Sequence, residues 1–158
     1  MRKPSRPAAL LTGLVLGLGL LSATAAAADD TTSDDSSAIL RASVQGSLTT
    51  DPPLFGVNPG GAPWQITRGL ARVSQQGDVA VDVRGLIIPT RGSNPVPALS
   101  ASLACNGQVV ATTSTVPFSP EGDAQIRAQV TVPERCLAPA VLLNPNGNPA
   151  VYIAVTGR

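Results

Sequence analysis

Apolar and polar residues alternate with a period of two in two stretches of this chain. Over 78–87, Val79, Val81 and Val83 fall on one side and Ala80, Asp82 and Arg84 on the other. Over 124–132, Ala124, Ile126, Ala128, Val130 and Val132 oppose Gln125, Arg127, Gln129 and Thr131. This is the pattern of strands with one buried face. Less regular runs of valine, threonine, alanine and isoleucine at 40–48, 64–74, 98–105, 108–116, 140–143 and 150–156 bring the expected number to about eight. Glycine, proline and asparagine interrupt these runs every ten residues or so. Asn106-Gly107 predicts a two-residue hairpin turn, since both of its central positions need positive φ. Ser119-Pro120-Glu121-Gly122 suits a type I turn, with proline second and glycine fourth. The expected fold is all-β, a single antiparallel β-sandwich of the immunoglobulin-like kind.

The first 28 residues follow a different pattern. Arg2, Lys3 and Arg6 form a basic start, 8–21 is an apolar stretch rich in leucine and glycine, and small residues follow from Ser22 to Ala28. Three alternative Ala-x-Ala cut sites lie in that last part, so 1–28 is expected to be a cleavable secretory signal peptide. The apolar stretch is shorter than the roughly 20 residues a spanning helix wants, and no membrane span is expected after cleavage. Residues 29–38 begin DDTTSDDSS, offer nothing apolar to bury before Ala38, and are expected to be a disordered acidic leader. The leader reads as a solvated spacer rather than a calcium site. Residues 39–158 then form one domain, expected to be secreted and extracellular.

Export changes the charge argument. Three of the eleven basic residues lie in the signal segment, leaving eight arginines against ten acids, four of them in the leader. The arginines are scattered singly from Arg41 to Arg158, not gathered in a stripe, so no nucleic-acid partner is expected. The chain has no histidine, and its single lysine, Lys3, leaves with the signal. General base catalysis near neutral pH most often falls to histidine, and a four-ligand zinc site cannot be built from two thiols. No metal and no cofactor is expected.

Cys105 and Cys136 are the only cysteines. In an oxidising compartment such a pair forms a disulfide. Cys105 shares a strand face with Leu99, Ala101 and Leu103, which directs its sulfur inward. Few aromatic residues are present, so small aliphatic side chains must make the core. Trp64 and Tyr152 are candidate ligand contacts, set against the commoner role of large aromatics as core. The carboxylate candidates for catalysis are Asp78 with Asp82 and Glu121 with Asp123. The first two read more simply as a solvated charge stripe and the second two as turn residues. Two long loops, 50–63 and 90–97, are candidates for a binding rim at one end of the scaffold.

The segments GGAPW, DVAVDVRGLII, LSASLACNG, EGDAQIRAQVTVPERC and AVYIAVTG together resemble uncharacterised small secreted proteins of high-GC Gram-positive, actinobacterial bacteria. In size and expected fold the chain is also similar to the neocarzinostatin-type apoproteins, immunoglobulin-like sandwiches that carry a chromophore. Those have two disulfides where this chain has cysteines for one, and no binding residue carries over. The expected function is that of a secreted, non-catalytic protein binding an extracellular ligand or cell-surface component. The alternatives are a small-molecule carrier with an apolar cleft between its sheets, an extracellular hydrolase using carboxylates, and a surface protein assembling through a free strand edge.

Overall fold

The structure, a computed structural model, describes residues 37–157. The expected signal peptide and all but the last two residues of the expected leader lie outside the described residues.

Eleven strands follow one another along the chain: β1 (Ala38–Gly46), β2 (Asn58–Pro59), β3 (Arg68–Ser74), β4 (Asp78–Arg84), β5 (Ala98–Cys105), β6 (Gln108–Thr112), β7 (Val116–Pro117), β8 (Ala124–Gln129), β9 (Ala140–Pro145), β10 (Val151–Tyr152) and β11 (Ala154–Thr156). No helix occurs among the described residues. Each of the eight expected strands is present in some form. The run at 150–156 is split in two by Ile153, and β2 and β7 are additional two-residue strands.

Nine strands form one curled antiparallel sheet in the order β6-β5-β9-β11-β1-β3-β4-β8, with β7 paired to β5. β1 makes the curl. Its first part, up to Ser43, pairs with β3, and its last part, from Val44 to Gly46, pairs with β11. The change of partner falls where β3 carries Gly69. A Cβ at Gly69 would lie 2.7 Å from that of Val44, so only glycine leaves room for the Val44 side chain at the corner.

The curl brings the inner faces of both halves onto one core. β3, β4 and β8 contribute Ala71, Val73, Val79, Val81, Val83, Ala124 and Ile126, while β5 and β9 contribute Leu99, Ala101, Leu103, Cys105, Val141 and Leu143. These are small aliphatics, as the composition requires, and Trp64 and Phe118 are the only aromatics among the buried members. In β4 the alternation read from the sequence is realised directly, with Val79, Val81 and Val83 buried and Asp78 and Arg84 exposed.

β5 departs from that rule. Seven of its eight residues, Leu99 to Cys105, are buried, so both of its faces are covered. The second cover is a thin outer layer, in which β10 runs parallel to β2, pairing Val151 with Asn58 and Tyr152 with Pro59. Val57 and Tyr152 pack there against Ala104, Ala140 and Leu142, with Leu54, Phe55, Val109 and Val155 at the margin. Ser102, outward on β5, therefore needs partners within the protein. Its hydroxyl donates to Asn144 Oδ1 at 2.7 Å, which leaves Thr112 to donate to it, and Asn144 Nδ2 donates to the Val151 carbonyl. This hydrogen-bonded string ties β5, β6, β9 and β10 together.

The two turns expected from the sequence are formed. Asn106 and Gly107 both have positive φ, at 58° and 84°. The Gly122 amide donates to the Ser119 carbonyl at 2.9 Å, and Gly122 has a φ of 83° with the Leu86 backbone so close that a Cβ would lie 2.4 Å from it. The Cys105–Cys136 disulfide is present. Cys105 is fully buried and Cys136 half-buried, so the bridge joins the end of β5 to the strandless segment between β8 and β9.

Candidate functional site

Two depressions border the long loops, which divide between them. The larger, about 640 Å³, is lined by Asn94 to Pro97 of the second loop and by Pro117 to Pro120, with Arg84, Asp123 and Gln125 on one flank. Asn94 builds its floor. The side-chain amide donates to the carbonyls of Val96 and Ser119 at 2.7 and 2.8 Å, its oxygen accepts from the Val96 amide, and its backbone amide donates to Pro120. Every polar group of this 6 % exposed side chain is therefore used in holding two proline-rich segments together.

Asp123, on that flank, accepts from Arg84 Nη1 at 2.9 Å and from the Gly85 amide at 2.9 Å. The Gly85 amide and the Arg84 guanidinium hold its carboxyl below the ordinary 3.8. A carboxylate depressed in this way stabilises the fold fully above its unfolded pKa and loses that contribution as the pH falls through the folded value. Asp123→Asn is therefore expected to be less stable than the parent at neutral pH. The gap should close as urea titrations are repeated below pH 3.8, and a constant gap would contradict the assignment. Two of the other carboxylate candidates are also engaged in structure, while Glu121 is exposed in its turn. Asp82 receives both bonds from Arg127 Nη2 at 2.9 Å, and Asp78 accepts from the Ser74 hydroxyl.

The smaller depression, about 410 Å³, is more enclosed. It is a cleft between the loop at 51–55 and the β9–β11 part of the sheet. Asp51, Pro52, Leu54 and Phe55 form one wall, Pro139 and Ala140 the other, and Tyr152, Val155, Thr156 and Gly157 the remainder. Leu54 and Val57 exchange both backbone hydrogen bonds, at 2.8 and 2.9 Å, around a turn whose central residues are Phe55 and Gly56. Phe55 has a φ of 54°, a conformation in which a bulky L-residue is strained. Ala138, just before the lining residue Pro139, has a φ of 49°.

Leu48 and Leu137 are the exposed large hydrophobics among the described residues, at 40 % and 53 %. Both flank this cleft in sequence. Leu48 is tied to the lining residue Asp51, its amide donating to the carboxylate at 2.8 Å and its carbonyl accepting from the Asp51 amide. Leu137 precedes the lining pair Pro139 and Ala140 by two residues. It is fixed by Asn106, which accepts from the Leu137 amide, donates its own amide to the Leu137 carbonyl, and donates its side-chain amide to Arg135. The disulfide anchors the residue before it. Leu137 is thus held out to solvent on a stiff segment.

Trp64, a candidate ligand contact, is 5 % exposed in the shared core and presents no open ring face. Tyr152 is buried, lines the cleft, and donates its hydroxyl to the Pro52 carbonyl at 2.9 Å, pinning the loop that makes the opposite wall. The two long loops do not share a rim, since 50–63 serves the cleft and 90–97 the groove. The shared core is closed by packed side chains, and the cleft lies outside it, over the second apolar cluster. Sequence reasoning missed Phe55, Pro139, Ala140 and Val155. Phe55-Gly56 had the form of a tight turn, but nothing local marked Pro139 and Ala140 as its opposite wall. The buried Ser100 hydroxyl has no partner and lines neither depression. No group of three or more potential metal ligands occurs among the described residues. No protein-family model, curated protein or solved structure matches the chain.

Proposed function

We propose that this chain is a secreted, non-catalytic binding protein acting outside the cell, with the cleft between Phe55 and Pro139 as its recognition site. The observation that carries this reading is an apolar cleft lined by Phe55, a bulky residue held at positive φ, with both exposed large hydrophobics, Leu48 and Leu137, within three residues of its lining in sequence. Exposed apolar groups and stored strain are features a fold discards unless a site uses them. The volume falls within the range of small-molecule pockets. Export is supported by the three-part pattern of residues 1–28 and by a disulfide that an oxidising compartment would preserve. A non-catalytic role is supported by the ionic pairing of Asp82 and Asp123, which leaves them poorly suited to carry protons.

The curled sheet is best understood as a sandwich of the immunoglobulin-like kind, its β1-β3-β4-β8 half facing its β11-β9-β5-β6 half across one core. The ligand is an extracellular small molecule or the exposed end of a cell-surface component. This differs from a carrier with its cargo between the sheets, because that space is occupied by side chains.

A fragment library titrated into the isotope-labelled protein tests the reading. Amide shifts are expected at Leu54 to Val57, at Ala140 and at Val151 to Gly157. Shifts confined to the Asn94–Gln125 groove, or none at millimolar fragment, would overturn it.

A further inference from the structure

We infer that the outer face of β1, β3, β4 and β8 is a second binding site, one that holds an acidic polysaccharide, a sugar chain carrying carboxylates, through Arg68, Arg72 and Arg84. The arginines stand singly along the chain, but strand register brings five of the seven among the described residues onto this face: Arg41, Arg68, Arg72, Arg84 and Arg127. All five are exposed. Arg72 lies opposite Arg41 across the β1–β3 pair, and Arg68 lies opposite Arg84 across the β3–β4 pair. Like charges set directly opposite one another destabilise a sheet, and an anion seated between them turns that repulsion into attraction.

The acids on this face leave Arg68 and Arg72 available. Asp82 is joined to Arg127, Asp123 to Arg84 and Asp78 to the Ser74 hydroxyl, whereas neither Arg68 nor Arg72 makes a side-chain hydrogen bond or ion pair among the described residues. Arg84 gives Asp123 one N–H of its guanidinium fork, and its side chain is 55 % exposed. Each of the two available arginines borders its own hollow. One, about 230 Å³, is lined by Arg68, Leu70, Asp82 and Arg84, and the other, about 430 Å³, by Arg72, Ser74, Asp78 and Ala80. Neither shares a residue with the cleft. The step from Arg68 to Arg72 along β3 sets them about 13 Å apart, so a ligand that spans both must be extended and must repeat its charge. Guanidinium forks match carboxylates in geometry. Asp78 and Asp82, in the same hollows, narrow the choice further. Their remaining lone pairs accept hydroxyl protons, and they repel a polymer that offers anionic groups alone. A sugar chain bearing carboxylates supplies both hydroxyls and charges, which a polyphosphate does not.

Retention on immobilised polygalacturonate, a linear uronate chain, tests the inference, with dextran as the uncharged comparison and polyphosphate as the anion without hydroxyls along its length. The protein is expected to bind the uronate chain, to release it as added salt screens the charges, and to bind dextran and polyphosphate more weakly. Arg68→Gln combined with Arg72→Gln should weaken uronate binding about tenfold. Arg91→Gln combined with Arg135→Gln removes the same charge from exposed positions off this face, and should change binding by no more than about twofold. Thermal melts of both double variants check the fold. The first should melt no lower than the parent, since it relieves both cross-strand repulsions. Equal losses in the two double variants would overturn the inference, because net charge alone would then explain the retention. Dextran or polyphosphate held as tightly as the uronate chain would overturn it too, as would no binding to the uronate chain at low salt.

Discussion

Replacing Cys105 and Cys136 together by alanine is expected to lower the stability of the domain by about 3–4 kcal/mol. The bridge joins residues 31 apart, and opening it restores to the unfolded chain the freedom of a loop of that length. The folded state has few other means of holding the segment. No strand runs between Gln129 and Ala140, and Leu137 stands out in solvent. Besides the bridge, the Asn106 hydrogen bonds to Arg135 and Leu137 fix its end. Denaturant titration of the double variant measures the loss directly. A cost below about 1 kcal/mol would mean that Asn106 positions the segment without help from the covalent bond. The double variant should also bind any cleft ligand more weakly than the parent, since Pro139 and Ala140 follow the freed stretch.

Tyr152→Ala is expected to cost about 3–5 kcal/mol, the range for removing a fully buried aromatic ring. Tyr152→Phe should cost only about 1 kcal/mol, the net worth of one hydrogen bond. The pair of variants separates two roles of this residue. The ring fills the second apolar cluster between Val57, Ala104, Ala140 and Leu142, and the hydroxyl reaches the Pro52 carbonyl. The phenylalanine variant should therefore stay folded but release the wall carrying Asp51 and Phe55, seen as faster amide exchange at Leu54 and Val57. Equal losses of stability in the two variants would show that the hydrogen bond, not the packing, holds the outer layer in place.

Much of the scaffold was legible in the residues because it rests on local properties. Alternation in β4 and β8 follows from the two-residue period of an extended backbone, so Val79, Val81, Val83 and Ile126 could be placed inward without reference to any partner. The turn at Asn106-Gly107 needed only the positive φ that those two residues tolerate. Cys105 was placed inward by the same alternation, and with two cysteines the pairing had one solution within the chain. The second face of β5 was not legible. Ser100 and Ser102 have the polarity of solvent-facing positions, yet both are fully buried. Their cover comes from segments far along the chain on either side, and no local period reports which face a distant segment will occupy.

What the sequence determined by itself was an all-β chain with a disulfide and a core of small aliphatic side chains, because extended backbone, turn chemistry and cysteine count are each settled within a few residues. The site was decided by the tertiary structure. The Tyr152 hydroxyl meets the Pro52 carbonyl across 100 residues of sequence, and Asp51, Phe55 and Pro139 share a cleft only because the sheet curls at Val44 and an outer layer closes over β5 and β9. Loop residues carry no periodicity, and their neighbours are set by how the strands beneath them pair. The long loop at 50–63 was recognisable as a candidate binding rim, but the residues it faces emerged only once the chain had folded.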